Sequence, residues 1–397
     1  MDYKVITDLE LAGKRVLIRV DFNVPLASDE SGRTIVSDDT RIRASLPTIQ
    51  YVLNAGGAVI LASHLGRPNG EANPKYSMAP VGRRLSELLG IAVISSPEVY
   101  GEQVEAISRS LAPGEVLLLE NVRFEAGETK NSEAVSEGLA RLADVYVNDA
   151  FGTAHRAHAS TTGVALKMNQ LAAGFLMQKE LDTLKKVTQN PDHPFVAIVG
   201  GAKVSDKIGI IQHLLEHVDS LLIGGAMAYT FLKAKGVETG TSLVENDRLE
   251  LARTILEKAG SRIHLPTDHV CAAAFSNDEP SEIHVGSIPS GMMGLDIGPE
   301  TILAYSSLIQ QAKTVVWNGP MGVFEMSSFS NGTFSIAKSL VTATEQGAFT
   351  VVGGGDSVAA IVESGLAEKV SHVSTGGGAM LELLEGKVLP GVQALEQ

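Results

Sequence analysis

The chain has 397 residues, a net charge of −14, 44% hydrophobic residues and 20% charged residues. This length predicts two or three domains, and the negative charge argues against a nucleic-acid partner. No uncharged stretch is long and apolar enough to span a membrane, the N-terminus does not resemble a signal peptide, and the single cysteine, Cys271, excludes an internal disulfide. We therefore expect a cytoplasmic protein.

The first half of the chain alternates strand and helix patterns. Strands are predicted at 16–20, 58–62, 91–94, 116–119 and 145–147, and helices at 39–51, 79–89 and 97–110. This alternation predicts a parallel sheet with helices on both faces.

Basic and polar residues collect at the ends of these strands. Of the 15 arginines, 12 lie at or before Arg156. The polar residues that directly follow strands are Asp21, Asn23, His64, Arg67, Arg123, His155 and Arg156, and Arg41 begins a helix that could reach the same edge. One arginine alone is more often a solvated surface charge. Four of them near the carboxyl ends of parallel strands, where ligands bind in open sheets, predict a site for a small polyanion.

A helix predicted at 176–187 is followed by a turn-rich segment at 188–194, where we place a domain boundary. Beyond it the alternation resumes, with strands at 195–199, 221–223, 263–266, 270–274 and 314–317 and a helix at about 334–344. Residues 281–296, which are rich in glycine and serine, are predicted to form a polar segment outside this alternation. Lys203 and Lys207, four residues apart, would share a face if they lay on a helix.

Glycine pairs or triplets follow several strands of the second half, most clearly at 349–360. There a β-branched run ends in Gly353, Gly354 and Gly355, and a helix pattern follows. Backbone N–H groups of such a turn can face a phosphate, although a plain strand–helix turn fits the pattern equally well when it is taken alone. Asp356 is either a helix cap or a ligand of nucleotide-bound Mg²⁺, and in isolation the cap is favoured.

Missing motifs narrow the alternatives. The chain has no P-loop, no H-E-x-x-H, no C-x-x-C and no nucleophile elbow. Val358 stands at the third glycine of a dinucleotide fingerprint, which weakens the alternative of a dehydrogenase. A non-catalytic anion-binding protein with two lobes is the other alternative. Such a protein would not explain the presence of Lys203, Lys207 and Asp356 among the glycine turns.

Over its whole length the chain resembles the phosphoglycerate kinase family. The stretches that carry the resemblance are 19–25, 63–68, 119–124, 148–158, 200–207, 317–325, 352–356 and 374–379, in the family's order. The resemblance implies two Rossmann-like α/β domains, with parallel sheets flanked by helices, that face each other across a cleft and are joined by a hinge helix. We expect an N-terminal domain at 1–173 with 382–397 packed back on it, a connecting helix at 174–187, and a C-terminal domain at 188–381.

The resemblance also implies the site residues. Those expected to bind 3-phosphoglycerate or 1,3-bisphosphoglycerate are Asp21, Phe22, Asn23, Arg41, His64, Leu65, Gly66, Arg67, Arg123 and Arg156. Those expected to bind Mg-ATP or Mg-ADP are Lys203, Lys207, Asn318, Glu325, Gly353, Gly354, Gly355, Asp356 and Ser357, with Asp356 nearest the metal.

The implied reaction is reversible transfer of the acyl phosphate of 1,3-bisphosphoglycerate to ADP. Both attacking groups, a nucleotide phosphate and a carboxylate, are ionised at neutral pH, so we expect no general base. The charge of the transferring group would be stabilised by Arg41, Lys207, Mg²⁺ and the amides of Gly376 and Gly377. We expect hinge closure before in-line transfer, and a monomer that binds neither nucleic acid nor membrane.

Overall fold

The computed structural model describes residues 3–396 and divides the chain into two units. The first unit ends at Asp182 and also takes in the tail from Val388 onward, while the second spans Thr183–Lys387. Among the described residues, no helix combines the length and the apolar character that crossing a bilayer requires.

The first unit is built on a parallel sheet. Its strands are β1 (Arg15–Arg19), β2 (Leu26–Ser28), β3 (Thr34–Val36), β4 (Ala58–Ala62), β5 (Val93–Ser95), β6 (Val116–Leu118), β7 (Val145–Asn148) and β8 (Leu171–Ala173), and its helices are α1 (Thr40–Asn54), α2 (Ala79–Leu89), α3 (Glu102–Ser110) and α4 (Glu133–Ala140). Six strands pair in the order β5-β6-β4-β1-β7-β8, and β2 and β3 form a separate antiparallel pair. Every residue of β4 and β6 is buried, as expected where helices cover both faces of a sheet.

The chain changes direction across this sheet at β1. From β1 it moves to β4 on one side and later returns to β7 on the other. Such a switch point opens a crevice outside the carboxyl ends of the strands. The loops after β1, β4 and β7 therefore meet at one edge.

The predicted connecting helix is α5 (Phe175–Gln189), and the division between the units falls inside it. Met177, Leu181 and Leu184 are buried, as their helical spacing predicts. The start of α5 is fixed by Asp149, whose Oδ1 accepts hydrogen bonds from the backbone N–H groups of Leu176 and Met177 at 2.9 and 3.2 Å.

The second unit repeats the architecture. Its strands are β9 (Phe195–Val199), β10 (Ser220–Ile223), β11 (Ile263–His264), β12 (Asp268–Ala272), β13 (Glu282–Val285), β14 (Met293–Ile297), β15 (Thr314–Asn318), β16 (Phe349–Val352) and β17 (His372–Val373), and its helices are α6 (Ile208–Leu214), α7 (Met227–Ala234), α8 (Leu249–Ala259), α9 (Pro299–Gln311), α10 (Asn331–Glu345), α11 (Gly355–Glu363) and α12 (Gly377–Leu384). Six of these strands pair in parallel in the order β11-β10-β9-β15-β16-β17. This is the strand order of the Rossmann fold, with the switch point between β9 and β15.

Three local predictions were wrong. Residues 281–296 contain β13 and β14, which flank β12 in an antiparallel sheet; β13 does alternate polar and apolar residues, but its apolar residues, Ile283 and Val285, are exposed. The helix predicted at 97–110 begins only at Glu102, after Gly101 at φ +130°. Lys203 and Lys207 share no helix face, because α6 starts at Ile208 with Lys207 as its N-cap.

The tail closes the first unit. It forms α13 (Pro390–Gln393), and Gly391 N–H donates to the Ala154 carbonyl at 2.8 Å. Asn148 Nδ2 in turn donates to the Gly391 carbonyl at 3.3 Å. Residues 382–387, which the sequence expectation grouped with this tail, lie in the second unit, because they continue α12, which packs against α6.

Candidate functional site

At the carboxyl edge of the first sheet, Asp21 joins two of the expected site residues. Arg41 Nη1 lies 2.6 Å from Asp21 Oδ2, and His64 Nδ1 lies 3.9 Å from Asp21 Oδ1. Arg41 is the second residue of α1, while Asp21 and His64 follow β1 and β4. The parallel sheet therefore brings together side chains that are up to 43 positions apart in the sequence.

Arg19, the last residue of β1, lies buried behind this edge and was not among the expected site residues. Its Nη2 lies 3.2 Å from His64 Nδ1, and its Nε donates to Ser160 Oγ at 2.8 Å. Ser160 Oγ then donates to the buried carboxylate of Glu128 at 2.6 Å. A buried arginine is thus paired through a hydroxyl with a buried acid, which offsets the cost of burying both charges.

The histidine at this edge is surrounded by positive charge. Burial, followed by the guanidinium groups of Arg19, Arg123, Arg156 and Arg41, holds the pKa of His64 well below its ordinary value. His64 is therefore neutral at physiological pH. With Nδ1 accepting from Arg19, its other ring nitrogen carries the proton and is a donor.

Arg123 lies in the same positive electrostatic environment. Burial, followed by the charges of Arg156 and Arg19, lowers its pKa to about 10. The unfavourable proximity of these cations is relieved when an anion binds among them, since opposite charges at short range in a partly buried site attract strongly. The first unit thus has a cationic edge whose charges suit an anion.

The loop after β4 is held by hydrogen bonds that leave this edge open. Gly66 N–H donates to Asn23 Oδ1 at 2.8 Å, and Arg123 Nη1 donates to the Gly66 carbonyl at 2.7 Å. Phe22 and Leu65 have buried side chains that pack in the sheet's apolar core. These two side chains are therefore part of the core.

Other expected residues of this unit lie around the edge. Arg156 is half-buried and Arg67 is exposed. Arg156 Nε donates to His155 Nε2 at 3.2 Å. His158, for which no role was predicted, lies 3.7 Å from Glu128. Burial, followed by the charges of Arg19 and Arg123, lowers the pKa of His158 to about 4.

In the second unit, the carboxyl ends of β15 and β16 meet Lys207. Lys207 Nζ donates to Asn318 Oδ1, and Asn318 Nδ2 donates to the Gly353 carbonyl at 2.8 Å. Burial lowers the pKa of Lys207, an effect that nearby Asp356 opposes. The structure therefore brings Lys207, Asn318 and the glycine turn together, as expected from their strand-end positions.

The glycine turn is closely packed. Gly354 has φ +92°, and a Cβ at this position would lie 2.6 Å from Asn318 Nδ2. A Cβ on Gly377, the first residue of α12, would lie 3.4 Å from Gly354 Cα. The N-termini of α11 and α12 therefore lie side by side, and their free N–H groups make this a favourable place for phosphate oxygens.

The remaining expected residues of this unit differ in exposure. Asp356 is exposed in the first turn of α11, whose N-cap is Gly354 and has no side-chain cap, so Asp356 is not the cap. Glu325 and Lys203 are also exposed, and Lys203 lies near Glu245. Ser357 is buried, and its Oγ accepts a hydrogen bond from Gly319 N–H, so this hydroxyl is committed to the protein.

The residues at this turn fit magnesium held together with a nucleotide. Mg²⁺ is commonly bound by one or two carboxylates plus substrate phosphates and water rather than by an all-protein cage. Asp356 supplies one exposed carboxylate next to the two helix N-termini. No cluster of three acidic or histidine ligands occurs here in the described residues.

Comparison with known proteins relates the chain to one protein family. A family model described as "Phosphoglycerate kinase" matches residues 6–387. A phosphoglycerate kinase from Solibacter usitatus is 55% identical over 397 residues, 100% of both chains. A cytosolic phosphoglycerate kinase from Triticum aestivum is 55% identical over 98% of this chain and 97% of its own length.

Solved structures agree with these matches. The phosphoglycerate kinase of Coxiella burnetii superposes with a TM-score of 0.89 at 40% identity, covering 99% of each chain. That of Pyrococcus horikoshii gives a TM-score of 0.84 at 32% identity, covering 99% of this chain and 98% of its own.

Proposed function

Because this chain belongs to the phosphoglycerate kinase family, it is a glycolytic transferase that reversibly moves the acyl phosphate of 1,3-bisphosphoglycerate to ADP, and we propose which residues perform that reaction. The first unit holds the phosphorylated acid, and the second holds the nucleotide. In domain terms, residues 1–173 with the tail from Val388 onward bind the acid, 188–387 bind the nucleotide, and 174–187 connect them.

The observation that carries the first assignment is the ring of guanidinium groups around neutral His64. Arg123, Arg156 and Arg67 hold the non-transferred phosphate, since guanidinium groups match phosphate geometry. Asp21 and Asn23 form hydrogen bonds with the hydroxyl of the acid. Gly66, whose N–H and carbonyl are bonded to Asn23 and Arg123, fixes the same loop. Arg41 lies beside Asp21 and reaches the carboxyl that receives or gives the phosphoryl group.

The second assignment rests on the paired helix N-termini. The amides of Gly354 and Gly355 and the ammonium groups of Lys203 and Lys207 hold the nucleotide phosphates. Gly353, whose N–H donates to the Trp317 carbonyl at 3.0 Å, fixes the start of the turn. Asn318 positions Lys207, and Glu325 accepts from the ribose. Ser357 acts through its hydrogen bond to Gly319, which fixes the loop after β15.

Bound with the nucleotide, Mg²⁺ supplies charge neutralisation of the phosphates. Asp356 holds it. The chain's own contribution to the transferring phosphoryl group is Arg41 in one unit and Lys207 with the Gly376 and Gly377 amides in the other.

Transfer needs no general base, because both attacking oxygens are already ionised at neutral pH. The reacting atoms must nevertheless come into contact. The proposal therefore includes closure of the units about α5 and residues 374–378, which would also exclude water from the acyl phosphate. We further propose that the protein is cytoplasmic and acts as a monomer. Light scattering coupled to gel filtration measures its oligomeric state.

Arg41→Ala tests the role given to this residue. Because Arg41 acts on the transferring group, turnover should fall about 100-fold while the Kd for Mg-ADP, measured by calorimetry, stays unchanged. Arg43→Ala is the matched control: Arg43 lies on the same helix but pairs with Asp39, and its loss should leave turnover near wild type. Equal losses of turnover and of Mg-ADP affinity in Arg41→Ala would contradict the assignment.

A further inference from the structure

A second group of potential ligands lies at the C-terminal end of α6, outside the site described above. His213, Glu216 and His217 each offer one ligand atom, and these three atoms all lie within 4.8 Å of one another. In residues 3–396, no other group of three or more His, Cys, Asp or Glu side chains meets that distance. None of the three takes part in the proposed reaction.

The backbone fixes this arrangement. After α6 ends at Leu214 the chain continues in one tightened turn, in which Glu216 N–H donates to the His213 carbonyl at 3.1 Å and His217 N–H to the Leu214 carbonyl at 2.9 Å. This turn keeps the two histidines on one face, with ring centroids 5.1 Å apart. Two histidines four residues apart on one face bind zinc in several enzyme families, including those with the order H-x-x-E-H found here.

The surroundings restrain the His213 ring but leave the cluster accessible. Gly386, at φ +77°, lies against the imidazole of His213, where a Cβ would come within 2.8 Å of Cε1. Both histidines are half-buried and Glu216 is exposed, so the ligands are restrained while the cluster remains accessible. The carbonyl end of a helix also favours a cation.

Two basic side chains compete with a metal at this place. Lys258 Nζ lies 3.6 Å from Glu216 Oε1, and Arg262 donates to the Leu215 carbonyl. Both carry positive charge close to the cluster. A metal that recruits Glu216 must displace Lys258, which lowers the affinity of the site and makes Lys258 an informative position to change.

We propose that His213, Glu216 and His217 bind a divalent transition metal of the zinc class. Imidazole ligands select Zn²⁺, Cu²⁺ or Ni²⁺ over Mg²⁺ and Ca²⁺, which prefer oxygen ligands alone. Three protein ligands leave a coordination position open to water. The site is separate from that of the nucleotide-bound magnesium and does not depend on the proposed assignment of the catalytic residues.

Titration of the metal-stripped, nucleotide-free protein with ZnCl₂ tests the proposal. The wild type should bind Zn²⁺ in a way that excess MgCl₂ does not displace. His213→Gln and His217→Gln should each weaken that binding about tenfold or more, since even indirect supporting groups of a metal site are worth that much. Lys258→Gln should strengthen it.

His284→Gln is the matched control. His284 also lies beside a carboxylate, with Nε2 3.4 Å from Glu282 Oε2, but without a third ligand, so its loss should leave zinc affinity unchanged. Circular dichroism of the metal-free variants confirms that they fold, and Glu216→Gln provides an exposed substitution if a histidine variant does not. Zinc affinity that is the same in wild type, in Glu216→Gln and in the histidine variants would overturn the proposal.

Discussion

At the scale of single residues, Arg19 connects the groups that lie behind the cationic edge of the first unit. Its side chain is buried and contacts both His64 and Ser160. Through Ser160 it is linked to Glu128, which is fully buried. The charge of Arg19 also helps to keep His64 neutral, so a residue behind the edge sets the protonation of a residue on it.

Ser160→Ala should destabilise the first unit by about 1–3 kcal/mol, because it leaves Arg19 Nε without an acceptor and Glu128 Oε1 without a donor in a buried place. Urea unfolding at pH 7 measures this loss. Ser110→Ala is the control, since Ser110 is exposed and bonds only to the Ile107 carbonyl of its own helix. A loss in Ser160→Ala no larger than that in the control would show that the link through Ser160 contributes nothing.

Residue patterns predicted much of this edge but not its interior. Asp21, His64 and Arg123 were identified because polar residues after buried strands stand out in the sequence. Arg19 was not, because a charge that ends an apolar strand looks the same whether it is solvated or buried. Its relation to Glu128 depends on the fold of the segment around Ser160, which no local pattern encodes.

At the scale of elements, the start of α5 depends on one carboxyl group. Asp149 accepts from the first N–H groups of the helix, and Gly174 leaves it space, since a Cβ there would lie 2.2 Å from Asp149 Oδ1. Burial raises the pKa of Asp149 to about 7. The helix that connects the units therefore begins at a group that titrates near neutrality.

The raised pKa predicts a pH dependence of stability. The unfolded carboxyl loses its proton near pH 3.8 and the folded one near 7, so the stabilising contribution is full below the lower value and is lost as the pH rises to the higher one. Between pH 5 and 7 this group should lower the free energy of unfolding by about 1 kcal/mol per pH unit.

Asp149→Asn removes that contribution. The change in unfolding free energy between pH 5 and 7, from urea titrations, should become less negative than in wild type by the amount above, while above pH 8 the two curves should run parallel. Asp296→Asn, in the second unit, is a useful comparison because burial raises the pKa of Asp296 to about 7 as well. Identical pH profiles for Asp149→Asn and wild type would rule out the raised pKa.

Elements with regular buried faces were predicted well, and exposed ones were not. The strands at 58–62 and 195–199 were predicted with the bounds that the structure has, because uninterrupted apolar runs of this length suit strands covered on both faces. β13 was missed although its residues alternate between polar and apolar, because the run Glu282–Val285 is short and lies in a polar segment. Which strands pair in the six-stranded sheets also depends on contacts between distant segments.

At the scale of the whole molecule, each unit carries one chemically distinct edge. The first gathers guanidinium groups around a neutral histidine, which suits a small phosphorylated acid. The second offers two helix N-termini, Lys207 and an exposed carboxylate at Asp356, which suits a magnesium nucleotide. We therefore propose that the two reactants are divided between the units.

Hydrogen exchange of backbone amides, measured with each ligand alone, tests that division most directly. With 3-phosphoglycerate, protection should appear around Asn23, Gly66 and Arg123 and leave the second unit unchanged. With Mg-ADP, it should appear at 353–357 and 376–377 and leave the first unit's strand ends unchanged. Protection of the glycine turns by 3-phosphoglycerate alone, or of the cationic edge of the first unit by Mg-ADP alone, would contradict this division of the reactants.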